Sequence, residues 1–204
     1  MVIHSIEQVS SEVMKISSDK GLAFFMRKSY LTRVDGDAVV EGAEFSFEDE
    51  EDIIDAGMAY SVEVKALDYL SRAEQCRARL TQKLIAKKYE KKYIEAALDY
   101  LSEKDYLSDY RFACAWLSSR KINHFEGRTR LLAELLSRGV EKPAALQGLE
   151  AFFAENTEEN LCAQAVEKLT RRGKRDEKLV RALMEAGFSY SLIRKTLDAV
   201  RSGE

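Results

Sequence analysis

The sequence is poor in the residues on which many small enzymes and secreted domains depend. It has one proline, two histidines and three cysteines among 204 residues. Because proline breaks a helix interior, a chain with Pro143 as its only proline can form long helices. The histidines, His4 and His124, are too few and too far apart for a histidine relay. Three dispersed cysteines without a Cys-x-x-Cys pair indicate neither a disulfide framework nor a zinc site. The cysteines are Cys76, Cys114 and Cys162.

Several longer signals are also missing. No apolar run approaches the roughly 18 residues that a transmembrane helix needs. The first residues lack the basic stretch and apolar stretch of a secretory signal. No phosphate-binding glycine loop, nucleophile elbow or metal-binding histidine pair is present. We therefore expect a non-enzymatic cytoplasmic protein that uses no cofactor, binds no metal and does not enter the membrane.

Charge is distributed unevenly along the chain. The net charge is −3, yet residues 1–60 hold five basic and thirteen acidic residues, a charge of −8, which leaves +5 for the remainder. The acidic excess could be a solvated segment, a segment that attracts basic partner proteins, or one that covers the basic remainder of this chain. Eight acids follow one another without an intervening base: Glu41, Glu44, Glu48, Asp49, Glu50, Glu51, Asp52 and Asp55.

The first 47 residues predict a small antiparallel β element. Residues 13–17 alternate in polarity, residues 18–21 form a turn, and an apolar run ending at Met26 follows. Residues 30–34, an Asp35-Gly36 turn and residues 38–40 suggest a second hairpin. From residue 48 the pattern becomes helical, and Gly57 is expected to end a short acidic helix over residues 48–56.

The same spacing of apolar residues occurs three times in the rest of the chain. Six positions per copy are spaced by 4, 5, 5, 4 and 3 residues, and the copies are offset by 51 and then 48 residues. Gly139 and Gly187 mark the break, where glycine can adopt the left-handed conformation that ends a helix. Such self-similarity predicts stacked units with a shared core. The positions are Leu80, Leu84, Tyr89, Ile94, Leu98 and Leu101, then Leu131, Leu135, Val140, Ala145, Leu149 and Phe152, then Leu179, Leu183, Phe188, Ile193, Leu197 and Val200.

Each repeat is expected to contain three helices. Ser108 and Ser189 are N-cap residue types, and Pro143 falls in the first turn of its helix. The predicted fold is therefore mainly α, with three tandem three-helix repeats in an elongated curved array and a small antiparallel β element at the N-terminus. The predicted domains are residues 1–57 for the β element and acidic helix, and residues 58–107, 108–155 and 156–204 for the repeats.

Two basic clusters join the first and second helices of the second and third repeats. They could be solvated loops, or they could form a contact surface for phosphate or an acidic protein. If the repeats stack similarly, both clusters would lie on one edge. The candidate partner-binding residues are Arg120, Lys121, Arg128, Arg130 and Arg138 in the first cluster, and Lys168, Arg171, Arg172, Lys174 and Arg175 in the second, which continues to Lys178.

The segment around Trp116 predicts a buried helix face. Phe112 and Trp116 are four residues apart and should pack together on the core of the second repeat. Exposed rings would instead favour stacking on nucleic-acid bases. Cys114, between them, is expected to be a core thiol rather than a nucleophile.

Three short motifs lie in the helical part of the chain: Ala-Leu-Asp-Tyr-Leu-Ser-Arg at residues 66–72, Tyr-Leu-Ser-Asp at 106–109 and Arg-Phe-Ala at 111–113. They resemble motifs of the RecX family, whose members regulate the RecA recombinase. Glu-Leu at 134–135 and Arg-Gly-Val at 138–140 complete the central signature. The matching motifs span residues 62–201, and Cys76 stands where serine is usual.

The resemblance implies three tandem three-helix units without catalytic activity. It further implies a regulator that binds along RecA filaments on single-stranded DNA and restrains strand exchange and co-protease activity, in the control of DNA repair, recombination and the SOS response. The expected partners are the RecA filament and the single-stranded DNA within it, and the chain is expected to be a monomer. Weak contacts from several repeats would reinforce one another through avidity.

Two rival interpretations stay open. Three-helix units can present recognition helices, so the chain could bind DNA directly, although its net charge of −3 argues against this. It could also be a generic helical-repeat adaptor. Binding to bare single strands, compared with RecA-coated strands over a salt series, separates the filament and DNA hypotheses.

Overall fold

The protein is mainly helical, with a small three-stranded antiparallel sheet at the N-terminus, as the sequence predicted. The computed structural model describes residues 1–21, 23–121 and 124–202, without the side chains of Lys121, Arg201 and Ser202. Within these ranges the strands are β1 (Ile3–Gln8), β2 (Val13–Ser18) and β3 (Phe24–Arg27), followed by a 3₁₀ turn (Lys28–Tyr30). The helices are α1 (Phe47–Leu70), α2 (Arg77–Ala86), α3 (Lys91–Glu103), α4 (Asp109–Lys121), α5 (Arg128–Ser137), α6 (Lys142–Glu155), α7 (Glu158–Arg171), α8 (Asp176–Glu185) and α9 (Tyr190–Ser202).

The chain divides into two compact units. The first unit consists of Met1–Ala73 and Leu80–Leu107, and the second of Glu74–Arg79 and Ser108–Glu204. The first turn of α2 thus belongs to the second unit, whereas the rest of that helix belongs to the first.

The sheet has the order β1-β2-β3, and both pairings are antiparallel. The hairpin of β2 and β3 confirms the first predicted hairpin, although Leu22, in its connection, lies outside the described residues. Strand β1 was not predicted. Its Ile3 joins Met14, Ile16 and Met26 in a buried layer that packs on Ile53 of α1. The pairing of β1 with β2 shifts in register between Ile3 and Ser5, so Ile3 and Ile6 are three residues apart and the strand lacks the alternation by which a sequence reveals a strand.

The predicted second hairpin is wrong, because a buried carboxylate takes the hydrogen bonds that a strand would need. Asp52 accepts from the backbone N–H groups of Thr32, Arg33 and Val34 at 2.9–3.1 Å. The donors that would form a ladder are therefore occupied by α1. Burial acts to raise the pKa of Asp52, but these hydrogen bonds and that from the Thr32 hydroxyl outweigh it and hold the pKa below its usual value.

The predicted helix end at Gly57 is also wrong, since α1 runs through this residue. Gly57 is buried, and a Cβ built on it would lie 2.6 Å from Cδ2 of Phe24. The glycine therefore admits the aromatic ring of β3 rather than ending the helix.

Much of the acidic run is engaged inside the first unit. Glu50 binds Lys20 and the N-terminal ammonium, and Asp55 accepts from Lys92 and Tyr93. Glu63, further along α1, is 2% exposed and receives a bidentate bond from Arg27. These acids attach α1 to the sheet, the N-terminus and α3, so they are structural in part rather than a uniformly solvated segment.

Most repeat positions lie in two buried clusters, one holding those of the first repeat and the other those of the second and third repeats. Fifteen of the eighteen are buried, including Leu84, Leu135 and Leu183, none of which is exposed to solvent, and this confirms the prediction that these positions are core. The exceptions are Tyr89 and Leu197, which are half-buried, and Val200, which is 54% exposed. Two of the three exceptions fall in α9, at the end of the third repeat.

Candidate functional site

A recurring turn positions the basic residues of the second unit. At the end of α5 and of α8, a left-handed glycine donates its N–H to the helix and the next residue closes the turn. Gly139 donates to Leu136 at 2.9 Å, and Gly187 donates to Met184 at 2.9 Å. The predicted role of both glycines is confirmed by φ values of +82° and +91°.

The start of α5 packs closely against the turn that ends α8. The Gly127 N–H donates to the Ala186 carbonyl at 2.8 Å, and Nη1 of Arg130 donates to the Glu185 carbonyl at 2.9 Å. A Cβ on Gly127 would lie 2.4 Å from the Gly187 oxygen. Arg130 therefore satisfies a carbonyl at a helix C-terminus, where a positive charge is favourable.

Glu126 ties Arg120 and Arg130 together. Glu126 is 7% exposed, and its carboxylate accepts hydrogen bonds from Nε and Nη2 of Arg120 at 2.7–3.0 Å. Nε of Arg130 lies 2.9 Å from the same carboxylate. Two of the predicted contact residues are thus committed to a buried carboxylate.

Trp116 is flanked by two members of the same cluster. The Arg138 and Arg120 guanidinium carbons lie 4.6 and 5.5 Å from the indole centroid, within cation–π range. Arg138 also binds Glu134, and this hydrogen bond lowers the pKa of the Glu134 carboxyl. Phe112 is buried as predicted, whereas Trp116 packs against the core while staying half-buried. Trp116 is therefore covered by the protein's own arginines.

Three further candidates have contacts on the surface of the unit. Arg128 lies 4.6 Å from the Phe153 ring centroid, and the Lys168 ammonium lies 5.2 Å from that of Phe125. Arg171 pairs with Glu167 one turn earlier on α7, where both side chains are exposed. Exposed pairs of this kind contribute little and exchange readily.

The remaining members of the second cluster are exposed cations. Arg172, Lys174 and Arg175 surround Gly173, whose φ of +82° turns the chain from α7 to α8. None of the three forms an ion pair with another described residue. The side chain of Lys121 and the loop residues Ile122 and Asn123 lie outside the described residues.

One cleft brings the two clusters together. It has a volume of about 240 Å³ and lies between the end of α7, the start of α5 and the end of α8. Arg130 from the first cluster meets Lys168, Arg172 and Lys174 from the second across it. Carboxylates are present too, since Glu126 and Glu185 line the same cleft, so its positive edge lies along the α7–α8 turn. The sequence predicted both clusters and indicated that they would share one edge, and this cleft joins them through Arg130.

The described residues offer little to catalysis. They contain no group of three histidines, cysteines or acids that could hold a metal ion. Burial raises the pKa of the Cys76 and Cys162 thiols, which disfavours the reactive thiolate, and Cys114 is half-buried rather than in the core. Among helices in this part of the chain, none has both the length and the apolar content that crossing a bilayer requires.

The fold and the cleft define a helical-repeat protein with a basic edge. A family model described as "RecX, first three-helix domain" matches residues 64–101. A protein named Regulatory protein RecX from Treponema pallidum (strain Nichols) is 38% identical over 144 residues, which cover 71% of this chain and 88% of the relative. The chain belongs to the RecX family.

Two other comparisons agree with this assignment. A Regulatory protein RecX from Thermobifida fusca (strain YX) is 36% identical over 144 residues, covering 65% of this chain and 77% of the relative. A solved structure described as a crystal structure of regulatory protein RecX matches with a TM-score of 0.76 over 97% of this chain and 98% of its own, at 22% identity. The second likeness concerns the fold alone, and the relatives' shared name supports a regulatory role.

Proposed function

We propose that this protein is a non-catalytic regulator that binds RecA filaments on single-stranded DNA and inhibits strand exchange and co-protease activity. The single observation that carries the proposal is the group of exposed cations around Gly173. In contrast to Arg120, Arg130 and Arg138, which bind carboxylates of their own unit, Arg172, Lys174 and Arg175 have no such partner among the described residues. They are available to an acidic protein surface or to phosphate.

Family membership supports the choice of a regulatory partner over an independent DNA site. The chain carries a net charge of −3, which weakens long-range attraction to bare DNA. A short basic edge is better suited to a contact within a larger protein interface, where other surfaces add affinity.

The test compares binding of the full chain to bare single-stranded DNA and to the same strand coated with RecA, over a series of salt concentrations. We expect clear binding to the coated strand at salt concentrations at which bare DNA is no longer bound. Equal affinity for both strands, with the same steep salt dependence, would instead support the direct DNA-binding interpretation. Binding to neither strand would reject both.

A further inference from the structure

The third repeat has an open apolar groove on α8 and α9. Its volume is about 790 Å³, and its floor is formed by Leu179, Val180, Met184 and Leu197, with Tyr190 at one end. Met184 and Tyr190 are 53% and 56% exposed. These are large side chains on two helices, and the groove they form shares Glu185 with the basic cleft but none of that cleft's basic residues.

Two apolar residues of this groove region occupy positions that are buried in the other two repeats, but they are not buried themselves. Leu197 corresponds to Leu98 and Leu149, which are fully buried, but Leu197 itself is only half-buried. Val200, one turn further along α9, corresponds to Leu101 and Phe152, which are also buried, yet it is 54% exposed. The third repeat therefore keeps apolar residues at positions that its own helices leave uncovered.

The rim of the groove is acidic. Asp176, Glu177 and Glu185 face a single base, Arg181, which pairs with Glu185 at 3.1 Å. Asp176 and Glu177 are exposed and have no ion pair with a described residue. An apolar floor with two unpaired carboxylates at the start of α8 complements a helix that has an apolar stripe and basic residues beside it.

We propose that this groove docks a basic amphipathic helix of a partner protein. Helix α8 has ten residues, a length of about 15 Å, which matches roughly three turns of a docked helix. Met184 would supply an adaptable contact at the centre, because methionine is flexible and polarizable. The partner helix would place its apolar stripe on Val180, Met184 and Leu197 and its bases beside Asp176 and Glu177. This surface does not depend on the basic cleft, so it can be tested without RecA or DNA.

The probe is a fluorescent peptide of about 18 residues, made of leucine and lysine with leucines at helical spacing, which is long enough to form a helix. Its counterpart has glutamate at every lysine. Binding of both peptides to the full chain is followed by fluorescence anisotropy. We expect the lysine peptide to bind at least about tenfold more tightly than the glutamate peptide.

Two groove variants and a matched control locate the binding. Met184→Glu should weaken binding of the lysine peptide by about tenfold. Leu136→Glu changes the corresponding exposed residue of the second repeat, which is 40% exposed, and should leave binding unchanged. Asp176→Asn combined with Glu177→Lys should reduce the preference for the lysine peptide. Circular dichroism checks that each variant is folded.

Unchanged binding by Met184→Glu, or an equal loss in Leu136→Glu, would overturn the proposal, since the peptide would then bind elsewhere. Sedimentation of the chain alone provides a second way to refute it. Self-association that Met184→Glu abolishes, without any peptide binding to the wild type, would identify a second copy of this chain as the occupant instead.

Discussion

Gly187 lies so close to Arg130 that a Cβ on Gly187 would be 2.5 Å from the Arg130 Cβ and 2.6 Å from its backbone nitrogen. Lys88, the counterpart of Gly187 in the first repeat, adopts the same left-handed turn, with φ of +66° against +91°. The turn itself therefore tolerates a side chain. Glycine at position 187 is required by the close approach of α5.

Gly187→Ala should destabilise the second unit by about 2–4 kcal/mol, because it adds both left-handed strain and a clash with backbone atoms. Unfolding in urea is followed by far-ultraviolet circular dichroism, which reports on the helices of both units, because Gly187 lies in the second unit and Lys88 in the first. The control is Lys88→Gly, which relieves strain without opening a contact and should change stability by no more than about 1 kcal/mol. Equal effects of the two variants would contradict the close-approach argument.

Glu126→Gln should cost about 1–3 kcal/mol, since two arginines would lose their shared buried carboxylate. Glu167→Gln removes the partner of Arg171 on the exposed face of α7 and should stay within about 0.5 kcal/mol. Urea unfolding of both variants measures the difference. A neutral Glu126→Gln would show that Arg120 and Arg130 are as free as the cations around Gly173.

Leu135→Ala should destabilise by about 2–5 kcal/mol, as expected for a leucine with no solvent exposure. The adjacent Leu136 is 40% exposed, so Leu136→Ala should cost clearly less. Comparing the two midpoints in urea tests the repeat alignment at single-residue resolution. The alignment would be refuted if Leu136→Ala were the more damaging change.

Acid should weaken the link between α1 and the segment after the 3₁₀ turn. The folded-state pKa of Asp52 is lowered, so its charged form stabilises the fold above its unfolded pKa of about 4. That contribution is lost as the pH falls from there through the folded pKa. Asp52→Asn should therefore be less stable than the wild type at neutral pH, and the gap should narrow in acid. A gap that is constant with pH would mean that the Asp52 charge is not involved.

The sequence was most informative where packing repeats. The spacing of Leu80 and Leu84 recurs twice, and a buried stripe on an α-helix is a local property that the 3.6-residue period reveals. The positions of Gly139 and Gly187 were predictable for the same reason, since both end a periodic segment.

Features that depend on distant contacts were not predictable. The sequence predicts a helix end at Gly57, because the approach of Phe24 cannot be read from neighbouring residues. The hairpin expected after Tyr30 failed because the Asp52 carboxylate, which is distant in the chain, binds the N–H groups of that segment.

The candidate site shows the same limit. The clustering of basic residues in the sequence pointed to ten candidates. It could not distinguish the arginines that bind Glu126 and Glu134 from the exposed cations around Gly173. Changing Arg128 and Arg130 together with Arg171 and Arg172, as the sequence alone would suggest, would therefore combine structural damage with loss of charge.

The most direct test of the account is inhibition of RecA-driven strand exchange by a triple variant, Arg172→Ala, Lys174→Ala and Arg175→Ala. The matched control removes the same charge from exposed positions elsewhere in the second unit, with Lys142→Ala, Arg194→Ala and Lys195→Ala. The free energy of unfolding of both variants should lie within about 0.5 kcal/mol of the wild-type value, because exposed charges contribute little to stability. We expect the first variant to lose inhibition, most clearly at low salt, where charges are least screened, and the control to keep it. Full inhibition by a folded first variant would contradict the assignment of the contact to the α7–α8 turn.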